Sequence, residues 1–321
     1  MKNKNVLIFG VTGQDGSYLA YLLLKSGYKI FGISKNKNTK NLKKLNIEKK
    51  VILIKFNYID YYKIPLLIKK INCSLIFFLA GETSVKKSEI APYQSIISNT
   101  KACVHILEYM RTSKKKIKFL NASSGEIFGG SKTYRKFNEN STYFPRSFYA
   151  LSKIISLEVI KSYRKQFGLW ACNAIFFNHE SPLRAKGFVI KKIIDFLKSL
   201  KNVKNKKTNK KLQIGNVNII RDWGWAPEYL SAIINIINCK VPNDFIIATG
   251  RGYKLRNILK KVFNHYNLNY KRFIKINKNY YRKNEVQVSI GNPNKANRLL
   301  FWKSKKNINQ ILKNIIEEKL F

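Results

Sequence analysis

The feature that most constrains the fold of this chain is a regular alternation of short apolar runs with amphipathic segments up to Asn178. The apolar runs read as strands and are, in order, "NVLIFG", "KIFGIS", "VILIKFN", "CSLIFFLAG", "IKFLNAS" and "WACNAIFFN". The segments with helical spacing between them are "QDGSYLAYLLLKSGY", "SIISNTKACVHILEYMRTS" and "YALSKIISLEVIKSYRKQFG". Apolar strands that alternate with helices are typical of βαβ units, in which helices cover both faces of a parallel sheet. We therefore predict an α/β protein built on a Rossmann-type, doubly wound parallel sheet.

The alternation becomes less regular after Asn178, which indicates a second, smaller α/β domain in the C-terminal part of the chain. There we predict a helix over "FVIKKIIDFLKSL", a solvated loop at the lysine-rich residues 201–211, a helix over "RDWGWAPEYLSAIINII" and a strand at "DFIIATG". The boundary is marked by this change in the alternation of strand-like and helix-like segments, and no low-complexity linker separates the two parts. The predicted domains are residues 1–177 and residues 178–321, with a segment at about 216–250 returning to the first domain.

The turn after the first strand carries three glycines in the stretch "GVTGQDGSYLA". Glycines permit a tight turn and a close backbone approach to a pyrophosphate, and the N–H groups that begin the next helix attract its negative charge. At the first strand-to-helix turn of a βαβ unit, this pattern favours a dinucleotide site over a purely structural turn. The predicted cofactor contacts in this loop are Gly10, Thr12, Gly13, Gln14, Asp15 and Gly16.

The segment after the second strand indicates which dinucleotide is bound. An NAD site usually has an acidic residue there to hold the ribose hydroxyls, whereas this chain has "GISKNKNTKN". Because no acid is present and the ammonium groups of Lys35 and Lys37 would attract a 2′-phosphate, we predict NADP, with NAD less favoured. The alternative is that both are ordinary surface lysines.

A tyrosine and a lysine four residues apart in "FYALSK" lie on one face of a predicted helix. In that position Lys153 can lower the pKa of Tyr149 and also hydrogen-bond a cofactor ribose, so that the phenolate accepts an alcohol proton near neutral pH. Ser123 and Ser124 end a predicted strand upstream. Together with the glycine loop, this set resembles the hydroxyl, tyrosine and lysine of short-chain dehydrogenases. An amphipathic helix with an incidental tyrosine is the alternative.

Glu126 follows the same strand, in "FLNASSGEIFGG", in a chain that has only 17 acidic residues. Oxidation of an alcohol needs the hydroxyl, the tyrosine and the lysine, but not a carboxylate. At the carboxyl end of a strand, where open α/β sheets bind ligands, Glu126 would supply a second base. Such a base can remove the proton alpha to a new ketone and assist loss of a β-hydroxyl, so that oxidation leads to dehydration. A surface or capping glutamate is the alternative.

The chain is strongly basic, with 62 Lys and Arg against 17 Asp and Glu and a formal net charge of +45. Such a charge attracts polyanions. The lysines are nevertheless spread along the chain, without a known nucleic-acid-binding module. We therefore attribute the charge mainly to composition, with recruitment of an anionic substrate as an alternative, and we do not expect nucleic-acid binding.

Cysteine spacing and hydropathy indicate the cellular compartment of the protein. The four cysteines are widely separated and form no CxxC pair, which predicts reduced, mostly buried thiols and no metal site. No apolar run is long enough for a transmembrane helix, and the N-terminal stretch lacks the features of a signal peptide. We therefore expect a cytoplasmic protein with no membrane partner.

With these residues in place, the chain resembles the extended short-chain dehydrogenases that act on nucleotide sugars, and most closely the GDP-mannose 4,6-dehydratase family. The likeness covers almost the whole chain and includes "GVTGQDGSYLAYLLLKSGY", "FPRSFYALSK", "ACNAIFFNHESPLR", "RDWGWAPEYL", "DFIIATG", "YYRKNEV" and "GNPNKANRLLFWK". "NHESP" and "RDWG" are more specific to this family than the glycine loop or the YxxxK spacing. Within the fold, another nucleotide-sugar dehydratase, epimerase or 4-keto reductase is the alternative. Outside enzymes, the alternative is a Rossmann protein that binds RNA through its charge.

The resemblance implies a lyase that converts GDP-mannose to GDP-4-keto-6-deoxymannose, with hydride leaving C4 and returning to C6. It implies that Tyr149 is the base for the 4-hydroxyl and that Lys153 tunes it and binds the cofactor. It further implies that Glu126 takes the C5 proton and delivers protons for loss of the C6 hydroxyl, and that Ser124 occupies the position of a catalytic threonine. The positions that match residues holding the GDP moiety are Asn178, Lys192, Arg221, Arg282 and Glu285.

The chain departs from the family pattern at several positions. The run Ser124–Glu126 stands where the family usually has Thr-Ser-Glu, Asn57 stands where an acid is expected near the adenine, and Trp225 replaces a usual His. The basic loop after the second strand is shortened. Because that loop reaches a neighbouring subunit in tetrameric members, the resemblance implies a homodimer or a homotetramer, with the dimer favoured. By the same resemblance, the first domain binds NADP and the second binds mainly the nucleotide sugar.

Overall fold

Strands and helices alternate along the part of the chain that the computed structural model describes, residues 4–35, 38–57, 60–133, 135–201, 210–282 and 284–321. In chain order, the strands are β1 (Asn5–Phe9), β2 (Lys29–Ser34), β3 (Val51–Lys55), β4 (Leu75–Phe78), β5 (Lys118–Ser124), β6 (Ala171–Phe176), β7 (Asn178–Glu180), β8 (Leu212–Ile214), β9 (Ile220–Trp225), β10 (Phe245–Ile247), β11 (Gly252–Lys254), β12 (Ile274–Ile276) and β13 (Val288–Ser289). The α-helices are α1 (Gln14–Lys25), α2 (Lys40–Lys44), α3 (Ile64–Ile71), α4 (Val85–Ile90), α5 (Pro92–Ser113), α6 (Phe148–Phe167), α7 (Val189–Lys201), α8 (Ala226–Asn238), α9 (Leu255–His265), α10 (Tyr270–Phe273), α11 (Asn294–Leu300) and α12 (Ile308–Ile316).

Seven of the described strands form one sheet in the order β3-β2-β1-β4-β5-β6-β10, and all neighbouring pairs in it are parallel. The strand order reverses between β1 and β4, so a crevice opens at their carboxyl ends. Side chains of β1 alternate between two cores: Val6 and Ile8 pack with α1 and α8, whereas Leu7 and Phe9 pack with α3 and α5. The prediction of a Rossmann-type, doubly wound parallel sheet is therefore confirmed.

A second, smaller lobe is built around β9. This strand pairs with β7, β11 and β13, while β8 pairs with β12. Side chains of α7, α9 and α12 pack with Trp223 and Trp225 of β9 in its core. In contrast, β10 pairs with β6 of the large sheet and α8 packs against α1. The chain therefore passes from the second lobe back to the first where β9 ends and α8 begins.

The predicted helix over residues 221–237 is wrong in its first part. The structure has a strand up to Trp225, and the helix begins at Ala226 with Pro227 in its first turn, where a missing N–H and a fixed φ are tolerated. All six residues of β9 are buried, and neighbouring strands pair with their backbone. This tertiary pairing overrides the local pattern.

Helix α6, which carries the YxxxK pattern, has a defined start and end. Ser147 Oγ accepts a hydrogen bond from Ala150 N at 3.1 Å, and Gly168 ends the helix with φ of 63°. The helix packs against α5 and against β5 and β6. Tyr149 and Lys153 are therefore held in fixed positions beside the carboxyl end of β5.

Some predictions fall on residues outside the described ranges: most of the lysine-rich run over 201–211, and Lys37. Among the helices that the structure describes, none is long and apolar enough to cross a membrane. The same part of the chain contains no group of three or more His, Cys, Asp and Glu side chains placed to hold a metal ion.

Candidate active site

The glycine loop lies between β1 and α1, at the crevice of the large sheet. Gly10 has φ of 82°, and a Cβ built on it would lie 2.8 Å from the carbonyl oxygen of Leu79. A Cβ on Gly16 would overlap the carbonyl oxygen of Gly10, whereas one on Gly13 would lie 3.3 Å from the same oxygen. Glycine is therefore required at the first and third positions. The resulting backbone cradle at a helix N-terminus fits the pyrophosphate of a dinucleotide cofactor.

Two side chains of the first turn of α1 connect the glycine loop to the "NHESP" segment. Gln14 Nε2 donates to His179 O at 3.4 Å, and Ser181 Oγ donates to Gln14 Oε1 at 2.8 Å. His179 Nε2 lies 2.9 Å from Asp15 Oδ1. The structure therefore makes Gln14 and Asp15 part of the contact between the two lobes.

Asp15 and His179 form a hydrogen-bonded pair. Burial opposes ionisation of Asp15, but the charges of His179 and Arg184 and the hydrogen bonds of its neighbours together lower its pKa to about 2. His179 Nδ1 donates to Phe177 O at 2.8 Å, and a carbonyl oxygen can only accept. Both ring nitrogens of His179 thus face oxygen atoms, one of Phe177 and one of Asp15, beside the glycine loop.

Ser124, Tyr149 and Lys153 meet at the carboxyl end of β5. The Ser124 hydroxyl lies close enough to the Tyr149 phenol to act on its pKa. Lys153 Nζ lies 5.9 Å from the centroid of the Tyr149 ring and donates to Ala122 O at 3.0 Å. Both side chains of the YxxxK pattern are buried. The structure therefore brings these three sequence-predicted residues together.

Burial determines the protonation of the tyrosine and the lysine. It raises the pKa of Tyr149 to about 12, and the carboxylate of Glu126 acts in the same direction while the hydrogen bond with Ser124 opposes it. Burial also lowers the pKa of Lys153 to about 8. The expectation of a lowered tyrosine pKa is therefore wrong for this structure, because loss of hydration outweighs the other effects. The Lys153 ammonium group donates to a main-chain carbonyl and not to the phenol.

Glu126 lies in the short 3-10 helix Gly125–Phe128 that follows β5, and its side chain faces the cleft between the lobes. Its backbone N–H donates to Ser124 Oγ at 3.3 Å. The carboxylate is 19% exposed, and its Oε1 lies 3.9 Å from Arg282 Nη1. Its charge also affects the pKa of Tyr149. The carboxylate is thus placed between Tyr149 and the second lobe, where a second base can act.

Two departures from the family pattern have a packing reason. A Cβ on Gly125 would lie 2.9 Å from the ring of Phe177, so this ring occupies the space that a serine side chain would need. Trp225 is fully buried in the core of the second lobe. At both positions the residue present fits the packing around it.

Arg221, Arg282 and Glu285 line the second-lobe side of the cleft. Arg221 on β9 is buried, and its Nη1 donates to Ile220 O at 3.0 Å while its Nη2 lies 3.6 Å from Glu285 Oε1. Burial lowers the pKa of Arg221, and the charge of Arg282 acts in the same direction. With Glu126, these side chains form a group of two guanidinium and two carboxylate groups. Guanidinium forks of this kind fit phosphate oxygens.

Lys192 and Asn178 lie on the same side of the cleft. Lys192 Nζ donates to Gln213 O at 2.9 Å and lies 5.1 Å from the centroid of the Tyr280 ring. Asn178 begins β7 and lies opposite Trp223 of β9 in the register. Asn178 therefore lies close to Arg221 on the neighbouring strand, whereas Lys192 lies beside β8 and Tyr280.

Lys35 is separate from this group. It is exposed and follows directly after β2, where Ser34 Oγ lies 3.0 Å from Thr12 Oγ1 of the glycine loop. Lys35 therefore lies at the same end of the large sheet as the glycine loop, and its contact with a cofactor stays a prediction.

Sequence reasoning gave no role to His179 and Arg184. Arg184 Nε lies 3.6 Å from Glu180 Oε2, and the arginine charge acts on both Asp15 and Tyr149. A signal was available, because a histidine and an arginine flank "ESP" where the strand–helix alternation breaks.

Solved structures of nucleotide-sugar enzymes have the same fold. A UDP-glucose 4-epimerase from Thermotoga maritima, solved with UDP-glucose, matches with a TM-score of 0.85 at 20% identity, over 98% of each chain. A dTDP-glucose 4,6-dehydratase from Bacillus anthracis, solved in complex with NAD, matches with a TM-score of 0.83 at 20% identity, over 98% of this chain and 96% of that chain. These likenesses define the class of fold, a Rossmann-type α/β fold shared with nucleotide-sugar dehydratases and epimerases.

The sequence comparison assigns the family within that class. The model of the GDP-mannose 4,6 dehydratase family matches residues 7–315. GDP-mannose 4,6 dehydratase 1 of Arabidopsis thaliana is 34% identical over 331 residues, which cover 99% of this chain and 90% of the relative. The Dictyostelium discoideum enzyme is 31% identical over 345 residues, which cover 98% and 95%. The chain belongs to the GDP-mannose 4,6-dehydratase family of hydro-lyases.

Proposed function

We propose that this chain dehydrates GDP-mannose to GDP-4-keto-6-deoxymannose. The observation that carries the proposal is the Glu126 carboxylate, which faces the cleft 3.9 Å from Arg282 and acts electrostatically on Tyr149. A 4-keto reductase needs no carboxylate beside the tyrosine, whereas elimination of water needs a base for the proton alpha to the ketone. Family membership supports the same reaction.

Tyr149 is proposed as the base that takes the proton of the sugar 4-hydroxyl, with the Ser124 hydroxyl holding the same oxygen. The buried ammonium group of Lys153 then stabilises the phenolate and contacts the cofactor ribose. The glycine loop would hold a nicotinamide dinucleotide, which would supply hydride transfer: removal of hydride from C4 of the sugar and its return to C6. Burial raises the pKa of Tyr149 to about 12 in this structure, so the proposed role requires the phenolate to be stabilised when cofactor and substrate are bound.

Glu126 is proposed to carry out the elimination. Its carboxylate takes the C5 proton, which the C4 ketone acidifies, and the electron pair of that C–H bond forms the C5–C6 double bond. The C6–O bond breaks, and the protonated Glu126 gives its proton to the leaving hydroxyl so that water departs. Atoms and charge therefore balance with one carboxylate acting in turn as base and acid.

The second lobe is proposed to hold the GDP moiety. Arg221 and Arg282 offer guanidinium donors to the diphosphate, and Lys192 adds a third cation. Asn178 and Glu285 would contact the sugar and the guanosine, since a carboxylate accepts hydrogen bonds from a guanine edge or a ribose. Support comes from the placement of these side chains around one cleft.

We further propose NADP as the dinucleotide. Support comes from the exposed Lys35 directly after β2 and from the absence of an acid anywhere between Asp15 and Glu48 in the sequence. A Lys35→Glu variant is expected to bind NADPH at least about tenfold more weakly and to bind NADH nearly unchanged. Fluorescence titration measures both affinities, with Lys50→Glu as the charge-matched control. A wild-type preference for NADH would contradict the proposal.

The proposed oligomeric state rests on exposed apolar side chains, and the proposed compartment rests on buried cysteines. We infer a homodimer or homotetramer, since α6 leaves Phe148 and Leu151 exposed at the surface of the chain. We infer the cytoplasm, because Cys73, Cys103 and Cys172 are buried free thiols of the kind a reducing compartment preserves. In this scheme the first lobe binds the cofactor and the second binds mainly the nucleotide sugar.

Incubation of the purified protein with GDP-mannose and NADP tests the reaction. The 4-keto product is expected and is measured by its ultraviolet absorbance in alkali. Glu126→Gln should reduce kcat by at least about 100-fold while NADPH affinity is retained, and the exposed Glu158→Gln should have no effect. Full activity of Glu126→Gln would exclude the elimination role. Turnover of a UDP- or dTDP-hexose in place of GDP-mannose would reassign the substrate.

A further inference from the structure

A half-exposed tyrosine lies between lysines of the two lobes. Tyr280 ends the short 3-10 helix Lys278–Tyr280 of the second lobe, and its side chain is 46% exposed. The centroid of its ring lies 5.7 Å from Lys86 Nζ and 5.1 Å from Lys192 Nζ. Lys86 lies on α4 of the first lobe, and Lys192 lies on α7. The Tyr280 ring therefore contacts two lysines, one from each side of the cleft.

Lys86 lies at the same cleft as the proposed active site. Helix α4 follows β4, which is paired with β1 and β5, the strands that end at the glycine loop and just before Glu126. The turn into α4 is fixed, because Glu82 Oε1 accepts from Ser84 N at 2.8 Å. On the other side, Arg282 is two residues after Tyr280 and faces Glu126. The Tyr280 ring that both lysines contact is therefore two residues from Arg282 in the chain.

In the part of the chain that the structure describes, no carboxylate forms an ion pair with either lysine, Lys86 or Lys192. Two ammonium groups at one ring, with Arg282 nearby, repel each other unless an anion lies between them. The cation–π contacts hold both ammonium groups at the cleft. Among the described residues, the bond of Lys192 to Gln213 O is the one hydrogen bond that either group makes, so donors remain for a ligand.

We propose that Lys86 is a further substrate-binding residue, which contacts the diphosphate of the nucleotide sugar from the first lobe while Lys192 contacts it from the second. Tyr280 positions both ammonium groups. A lysine suits this role because its charge is compact and its stem is flexible, so Nζ can move from the ring to a phosphate oxygen. A diphosphate fits better than a single carboxylate, because it carries more than one negative charge. In the proposed complex that charge is shared by four cationic side chains, those of Lys86, Lys192, Arg221 and Arg282. This inference rests on the proposed function only in taking a nucleoside diphosphate as the ligand.

Calorimetric titration of the full chain with GDP and with GMP tests the proposal. Lys86→Gln is expected to weaken GDP binding by about tenfold and GMP binding by less, because the second phosphate is the group contacted. Lys86→Arg should retain most of the GDP affinity. Lys87→Gln is the matched control, since it removes the same charge from the next residue of the same helix and should leave both affinities unchanged.

Equal GDP affinity of Lys86→Gln and the wild-type chain would overturn the inference. So would an equal loss in Lys86→Gln and Lys87→Gln, which would indicate general electrostatic attraction. The result is distinguishable from failure of the proposed function. If the wild-type chain binds GDP but does not convert GDP-mannose, only the proposed reaction fails. If it converts GDP-mannose and Lys86→Gln binds GDP normally, only the role of Lys86 fails.

Discussion

Lys153 carries its ammonium group into a site where it is 4% exposed and donates to Ala122 O. Removing an ammonium group from water disfavours its charged form, which lowers the pKa of Lys153 to about 8. The unfolded chain holds this proton up to a higher pH. Below pH 8 the folded state therefore carries a penalty for the buried charge, and the penalty is relieved as the pH rises from 8 toward the ordinary lysine pKa.

Replacing Lys153 by Met should therefore stabilise the cofactor-free protein while abolishing activity. We expect the free energy of unfolding to rise by about 1 to 3 kcal/mol at pH 7, and the advantage over wild type to shrink as the pH rises above 8. Urea unfolding of both chains between pH 7 and 9.5 measures this difference. A destabilised variant at pH 7 would show that the hydrogen bond to Ala122 outweighs the burial of charge.

Individual site residues were predictable to different extents. The spacing of Tyr149 and Lys153 on a helix, and the position of Glu126 just after a strand, follow from regular geometry, so the sequence places them correctly in one cleft. The direction of the tyrosine pKa depends on hydration, which the sequence does not specify. Lys86 was not identified, because its partner ring lies almost 200 residues away in the chain.

At the scale of elements, α11 ends in an unusual way. Phe301 caps it with φ of 51°, and its side chain is 94% exposed. This left-handed conformation is typical of glycine, and for an L-residue the contact between Cβ and the backbone makes it unfavourable. The exposed ring contributes little packing that could compensate. The end of α11 is therefore a local source of strain.

Phe301→Gly should stabilise the protein by about 0.5 to 1 kcal/mol, because glycine adopts this conformation without a Cβ contact. Thermal and urea unfolding measure the change. Phe301→Ala is the control: it removes the same ring but keeps the Cβ, so its stability should remain close to wild type. Equal stabilisation by alanine would attribute the effect to loss of the exposed ring instead.

The helices and strands were predictable where a segment packs against other segments that are close to it in the sequence. Strands β1 to β6 and helices α1, α5 and α6 agree with the apolar patterns, because most of them pack against an element close in sequence, although α1 also packs against the distant α8. The failure at β9 has the opposite cause. Its partners β7, β11 and β13 lie on both sides of it in sequence, and their pairing, not the local pattern, makes the segment a strand.

At the scale of the whole molecule, Asp222 joins the two lobes. It lies on β9 of the second lobe and accepts from Thr249 Oγ1 at 2.6 Å and from Thr249 N at 3.0 Å. It also accepts from Gly250 N at 2.9 Å. Both donor residues follow β10 of the large sheet. Burial raises the pKa of Asp222 to about 6 despite these hydrogen bonds. The carboxylate thus holds the end of one sheet against the other.

Asp222→Ala should destabilise the protein by about 2 to 4 kcal/mol, since it leaves buried backbone donors at Thr249 and Gly250 without an acceptor. Urea unfolding measures the loss. Asp60→Ala, at a side chain that is 43% exposed and pairs only loosely with Lys63, should change stability by no more than about 0.5 kcal/mol. An unchanged urea midpoint for Asp222→Ala would mean that water replaces the carboxylate at the junction.

The sequence by itself determined the large parallel sheet, the glycine cradle and the co-location of Tyr149, Lys153 and Glu126, because apolar periodicity and strand-end geometry act over short distances along the chain. Only the tertiary structure decided that "RDWGW" is a strand, that His179 pairs with Asp15 and that Lys86 meets Tyr280. It also decided the protonation of the buried groups. Each of these depends on which distant segments exclude water from one another, and that is fixed by packing between the lobes.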